Sequence, residues 1–124
     1  MTPLSNTTER VELTLSYPPS VNGNYRAVAG RTILSKRYRD WKRTAGLEIM
    51  AQRVRATSGQ VHINITLKAP DKRRRDIDNP LKAIIDALKE NHLIDADDNT
   101  VLRSISAQWV EVGEPCVITI ARAA

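Results

Sequence analysis

The chain has 124 residues, 41% of them apolar, which is enough for one hydrophobic core and too little for two. Nineteen Lys and Arg against fourteen Asp and Glu leave a net charge of +5, so an acidic partner is expected: nucleic acid, an anionic membrane face or an acidic protein. The single cysteine, Cys116, excludes an intrachain disulfide, lies in an apolar stretch that suits the core, and fits a reducing compartment; no run of about 18 apolar residues is present. The expectation is a soluble, cytosolic protein without a membrane partner.

Residues 1–10 are polar and threonine-rich and read as a flexible tail ahead of one folded domain over residues 11–122. Val11, Leu13, Leu15 and Tyr17 alternate with polar residues, the period of a half-buried strand, and Pro18 and Pro19 end it. Residues 20–31 carry Asn22, Gly23, Asn24 and Gly30 and read as a loop, with a short strand over Thr32 to Leu34.

Ser35 then stands where an N-cap is needed, and Tyr38, Trp41, Ala45 and Ile49 recur at helical spacing. Met50 and Val54 are expected to widen this stripe, and the helix to end near Thr57 to Gly59. Its other face is strongly basic and suits either solvent or DNA.

Val61, Ile63, Ile65 and Leu67 form the next alternating strand. Asn79 as cap and Pro80 at the first helical position predict a second helix, with Leu81, Ile84, Ile85 and Leu88 on its buried face. Strands are expected over Val101 to Val112 and Cys116 to Ala121, joined as a hairpin through Gly113, Glu114 and Pro115. The order predicts an α+β single domain, a mixed sheet with two helices mainly on one face.

The chemistry concentrates in residues 70–82, Pro-Asp-Lys-Arg-Arg-Arg-Asp-Ile-Asp-Asn-Pro-Leu-Lys. Asp76 and Asp78 are two apart, so in extended backbone their side chains point the same way. Acids facing a polyanion repel it unless hard cations lie between them, and Mg2+ takes one or two carboxylates plus phosphate oxygens. A third acid from Asp95, Asp97 or Asp98 completes such a site if the chain returns antiparallel after the second helix; spacing leaves open which one.

Plainer readings compete. Asp76 and Asp78 can pair with the neighbouring arginines or simply stabilise the helix dipole. Lys82 can pair with Asp78 or Asp86 as an ordinary surface lysine. His62 reads as an outward strand residue and His92 as a helix end; Trp41 suits the core, and Trp109 either the core or a partner contact.

The string Arg-Arg-Arg-Asp-Ile-Asp-Asn-Pro-Leu-Lys, residues 73–82, resembles the signature of the RusA-type Holliday-junction resolvases. Pro18-Pro19-Ser20-Val21-Asn22, the Asp86-Ala87-Leu88 helix and the Asp97-Asp98 pair are similar as well, so the likeness spans residues 11–120. It implies a RusA-like fold and a Mg2+-dependent endodeoxyribonuclease, with Mn2+ as substitute ion, that acts as a homodimer and nicks four-way junction DNA symmetrically in recombination and repair.

By position the resemblance makes Asp76, Asp78 and Asp98 the metal-binding catalytic acids, with Asp97 as fallback, and Lys82 the lysine needed for cleavage. Lys72, Arg73, Arg74 and Arg75 are expected to hold the DNA backbone. The chain departs from the pattern by about one extra residue before the acid pair and by the additional carboxylate of Asp95. Two rivals are a non-catalytic branched-DNA-binding module and a metal nuclease acting on forks or flaps.

Overall fold

A computed structural model of the chain describes residues 10–20 and 25–123. Its elements run β1 (Arg10–Leu15), β2 (Tyr25–Val28), β3 (Arg31–Leu34), α1 (Lys36–Gln52), β4 (Val61–Leu67), α2 (Leu81–Glu90), β5 (Leu102–Trp109) and β6 (Cys116–Arg122). The fold is α+β, with a mixed sheet and two helices, as the residue pattern predicts. The expected N-terminal tail lies outside the described residues except for Arg10, which opens β1.

Alternation in β4 makes the main sheet one-sided: Val61, Ile63, Ile65 and Leu67 are buried, while His62 and Asn64 face solvent. Leu13 and Leu15 of β1 and Cys116, Ile118 and Ile120 of β6 join the same core. Tyr38, Trp41, Ala45 and Ile49 of α1 and Ala83, Ile84, Ile85, Ala87 and Leu88 of α2 cover it. Each fully buried Leu or Ile contributes about 1.5–3 kcal/mol of transfer free energy, so this layer holds the domain together. Cys116 is fully buried there, and burial pushes its thiol up to about 12, out of nucleophilic range.

The strand order is β1-β6-β4-β5, antiparallel except for the parallel pair β4 and β5. The hairpin expected between β5 and β6 does not form, because β4 lies between them. Parallel strands cannot be joined by a tight turn, and α2 supplies the crossover from β4 to β5. This commits β5 to the far edge of β4, and residues 110–115 cross the end of β4, where Lys68 N–H donates to Pro115 O at 3.0 Å and Val110 N–H to Leu67 O at 2.8 Å.

Local boundaries differ for identifiable reasons. Part of the expected loop is β2, which pairs with β3 around Ala29 and Gly30, both at positive φ (51° and 76°). Such a two-residue turn is usually announced by Asn-Gly, so Ala-Gly gives no signal. The first half of that loop expectation, residues 21–24, lies outside the described residues.

Ser35 caps α1 as expected, its Oγ accepting from Tyr38 N–H at 3.3 Å. The helix stops at Gln52, earlier than the sequence suggests, because Arg53 turns left-handed at φ 55° and returns its N–H to Met50 O. Met50 is 73% exposed rather than part of the buried stripe, being about 100° round the helix from Ile49. Asn79 does not cap α2. Asp76 to Pro80 forms a turn instead, with Asn79 N–H donating to Asp76 O and Leu81 N–H to Asp78 O, and no side chain caps the helix.

Candidate functional site

Beyond Leu67 the chain leaves the sheet and runs through residues 68–80 to the start of α2. Asp71 organises this stretch. Its carboxylate takes Arg75 in both oxygens, Nη1 to Oδ1 at 2.6 Å and Nη2 to Oδ2 at 3.1 Å. It also accepts the backbone N–H of Arg73 at 2.9 Å, with Arg73 Nε 3.4 Å from Oδ2. These bonds, the Arg75 pair first, hold the Asp71 carboxyl well below the usual carboxylate range. The Arg75 guanidinium also lies over the Tyr17 ring, 5.8 Å from its centroid, and Tyr17 is partly buried by the contact.

Asp76 and Asp78 follow, both exposed. Among the described residues neither makes an ion pair, although three consecutive arginines precede them. The pairing that competes with a metal reading is therefore taken by Asp71, an acid to which the residue pattern drew no attention. Its only sequence signal is its place four residues before Arg75 in a turn-forming segment.

A concavity of about 490 Å³ opens beside Asp76. Arg73, Arg74 and Arg37 make it cationic, while Tyr17, Pro19 and Pro80 supply apolar wall. Arg37 reaches it from the first turn of α1 and donates to Ser20 O at 3.2 Å. Lys72 and Arg74 are exposed and make no ion pair among the described residues. Of the four basic residues expected to hold DNA, Lys72, Arg73 and Arg74 are exposed to solvent, whereas Arg75, 20% exposed, braces the loop.

The basic face of α1 is divided in the same manner. Lys36 pairs with Asp40 at 2.7 Å, and Lys42 with Glu90 of α2 at 2.7 Å. Lys82 stands one residue into α2, 3.3 Å from Asp86 Oδ2, the pairing that the plainer reading of this lysine named. Tyr38 Oη donates to the same oxygen at 3.5 Å, so Asp86 ties Lys82 to the core.

The later acids sit elsewhere. Asp97 lies 3.6 Å from Lys89 in the last turn of α2, and Asp95 accepts from Gly59 N–H at 2.9 Å beside the start of β4. Asp98 accepts the hydroxyl and N–H of Thr100, which lower its pKa, and its backbone carbonyl receives Val101 and Leu102 N–H. Asp76 and Asp78 precede α2 and these three follow it, so the length of the helix, about 15 Å, separates the two sets. The expected antiparallel return does not bring them together in one chain. No group of three His, Cys, Asp or Glu side chains able to hold a metal occurs among the described residues.

His62 faces outward, 2.6 Å from Ser104 Oγ, and His92 ends α2 at φ 61°; neither approaches the acids at 76 and 78. Trp41 is buried and Trp109 partly so.

Exposed, unpaired acids bedded among arginines define a surface for a phosphate polyanion together with cations. Comparison with known proteins points the same way. Residues 16–121 match the family model described as Endodeoxyribonuclease RusA. The chain is 31% identical over 113 residues to the crossover junction endodeoxyribonuclease RusA of Aquifex aeolicus, covering 89% of each protein. It is 42% identical over 79 residues to the protein of that name in Escherichia coli K12, and 38% identical over 77 residues to that of Enterobacteria phage 82. Each of these two matches spans 61% of this chain and 64% of the relative. The chain belongs to the RusA family of endodeoxyribonucleases.

Proposed function

We propose that the protein is a divalent-metal-dependent endonuclease that acts as a homodimer on four-way junction DNA, introducing paired nicks in the cytoplasm. The observation that carries this reading is the pairing pattern: Asp71 occupies Arg75 and Arg73, which leaves Asp76 and Asp78 exposed and without cationic partners among the described residues of a protein of net charge +5. An acid pair of this kind is a hard-oxygen donor set suited to Mg2+, or to Mn2+ in its place. Asp98, or Asp97 beside it, is the third ligand.

A cation held by these acids supplies Lewis-acid charge at the scissile phosphate and acidifies water. The chain's own residues do the rest. Arg73, Arg74 and Lys72 neutralise backbone phosphates and set the strand's position, so affinity falls with salt and follows DNA shape rather than base sequence. Lys82 adds positive charge near the leaving oxygen, and Asp86 holds that ammonium in place. Arg75 shapes the loop.

The test is cleavage of a synthetic four-way junction with Mg2+, alongside linear, flap and fork DNA. Asp76→Asn and Asp78→Asn should each abolish cleavage while preserving or tightening junction binding, since neutralising an acid near phosphate relieves repulsion. Binding without cleavage by the unaltered protein would leave a DNA-binding module. Preferential cutting of forks or flaps would assign another branched substrate.

A further inference from the structure

The two edges of the main sheet are treated differently. On β1 the side-chain amide of Gln52 pairs with Thr14 as a neighbouring strand does, accepting its N–H at 2.8 Å and donating to its carbonyl at 2.7 Å. Glu48 accepts Ser16 N–H at 2.9 Å and its hydroxyl at 2.6 Å. That edge is sealed from within the chain. At the other edge, no strand, helix or side chain among the described residues bonds the outer side of β5.

β5 also lacks most of the devices that keep an open edge from pairing. It has no proline and one charged residue, Arg103, which stands at the bulge near its start. From Ser104 to Trp109 the pairing with β4 is regular. Ile105 sits beside Ile63 in the sheet, yet Ile63 is 2% exposed and Ile105 42%. An open, nearly uncharged edge with an uncovered isoleucine is a surface that accepts a strand.

The placement of the acids says which strand. Asp98 lies just before β5, at the end of the sheet where β4 begins, whereas Asp76 and Asp78 follow the end where β4 finishes. A twofold axis through the middle of β5 pairs it antiparallel with a second copy of itself. The beginning of one sheet then lies beside the finish of the other.

We infer that β5 joins two copies of this chain into one continuous sheet, and that Asp98, with Asp97 beside it, completes the metal site of the partner subunit rather than its own. This rests on the reading of Asp76 and Asp78 as metal ligands. It accounts for the roughly 15 Å between acids that belong to one site. It also makes each cleavage centre dependent on assembly, so a lone protomer cannot nick DNA and each dimer carries two sites.

Two experiments test it. The first places single cysteines at Ile105, Ser106 and Ala107 in separate variants; the native Cys116 is buried and does not compete. Mild oxidation should link at least one variant into a covalent dimer, because residues on the axis come within disulfide reach of their own copies. No cross-link in any of the three, with monomeric sedimentation of the unaltered protein, overturns the pairing.

The second mixes Asp76→Asn with the double variant Asp97→Asn, Asp98→Asn by co-expression. Each parent should be inactive alone. In the mixed dimer one site inherits both defects and the other none, so statistical pairing restores about a quarter of wild-type nicking, as single rather than paired nicks. Inactive parents that stay inactive when mixed overturn the exchange of acids between subunits, as does a double variant that cleaves normally by itself. Full activity of Asp76→Asn alone would instead remove the metal-site reading beneath the inference.

Discussion

Asp71 and Arg75 form a two-pronged pair, 2.6 and 3.1 Å, four residues apart in the loop that leads to α2. Bidentate carboxylate–guanidinium geometry is both stronger and more directional than a single contact. Here it decides which acids are left for a cation. Asp71→Asn removes the charge that holds Arg75 and Arg73, and the released guanidinium groups then compete for Asp76. The Mg2+ concentration needed for half-maximal junction cleavage should rise severalfold, with junction binding unchanged. A titration that coincides with wild type would show that the pair does not spare Asp76.

The same pair has a pH signature. Asp71 has a folded-state pKa depressed below its unfolded value of about 3.9, first by the Arg75 hydrogen bonds and then by Arg73 N–H. A depressed carboxylate stabilises the fold above its unfolded pKa, and that contribution disappears as pH falls through the lower folded value. The Asp71 carboxyl, followed by carbon-detected NMR, should therefore remain ionised at pH 4, and any loss of cleavage between pH 7 and pH 5 should persist in Asp71→Asn. A midpoint near 4 for Asp71 would mean that the bonds to Arg75 are absent in solution.

The three consecutive arginines should separate in salt dependence. Exposed Arg73 and Arg74 line the concavity beside Asp76, while Arg75 is committed to Asp71 and Tyr17. Removing one protein–phosphate bond lowers the slope of log affinity against log salt by about 0.9. Arg73→Ala and Arg74→Ala should each show that decrement in junction binding. Arg75→Ala should show a much smaller one, together with greater protease sensitivity of residues 68–80. Equal decrements for all three would place Arg75 on the DNA.

Much of this was legible in the residues. Period-two alternation marked β1, β4 and β6, helical spacing marked α1 and α2, and Ser35 and Pro18-Pro19 marked boundaries, because burial on one face imposes those repeats directly. Pairing partners were not, since side-chain alternation is the same whichever strand lies alongside; hence a hairpin was expected where β4 intervenes. The site divides likewise. Asp76, Asp78 and their arginines stood out as a local string, but the role of Asp71 depends on a loop conformation. The distance to Asp98 depends on a helix running along the sheet rather than folding back.

Lys82 and Asp86 allow a last separation of roles. Lys82 is 59% exposed while Asp86 is 13% exposed and also accepts from Tyr38, so the acid is fixed and the ammonium is oriented by it. A positioned charge acting on the departing oxygen contributes in the transition state more than in the bound complex. Lys82→Ala should lower the rate of junction cleavage on the order of 10²-fold, with only a minor loss of junction affinity. Asp86→Asn leaves the lysine charged but unanchored, and should reduce the same rate constant by less, again without weakening binding. If Lys82→Ala instead weakens binding in proportion to rate, the lysine is one more phosphate contact and the leaving oxygen must be stabilised by other groups.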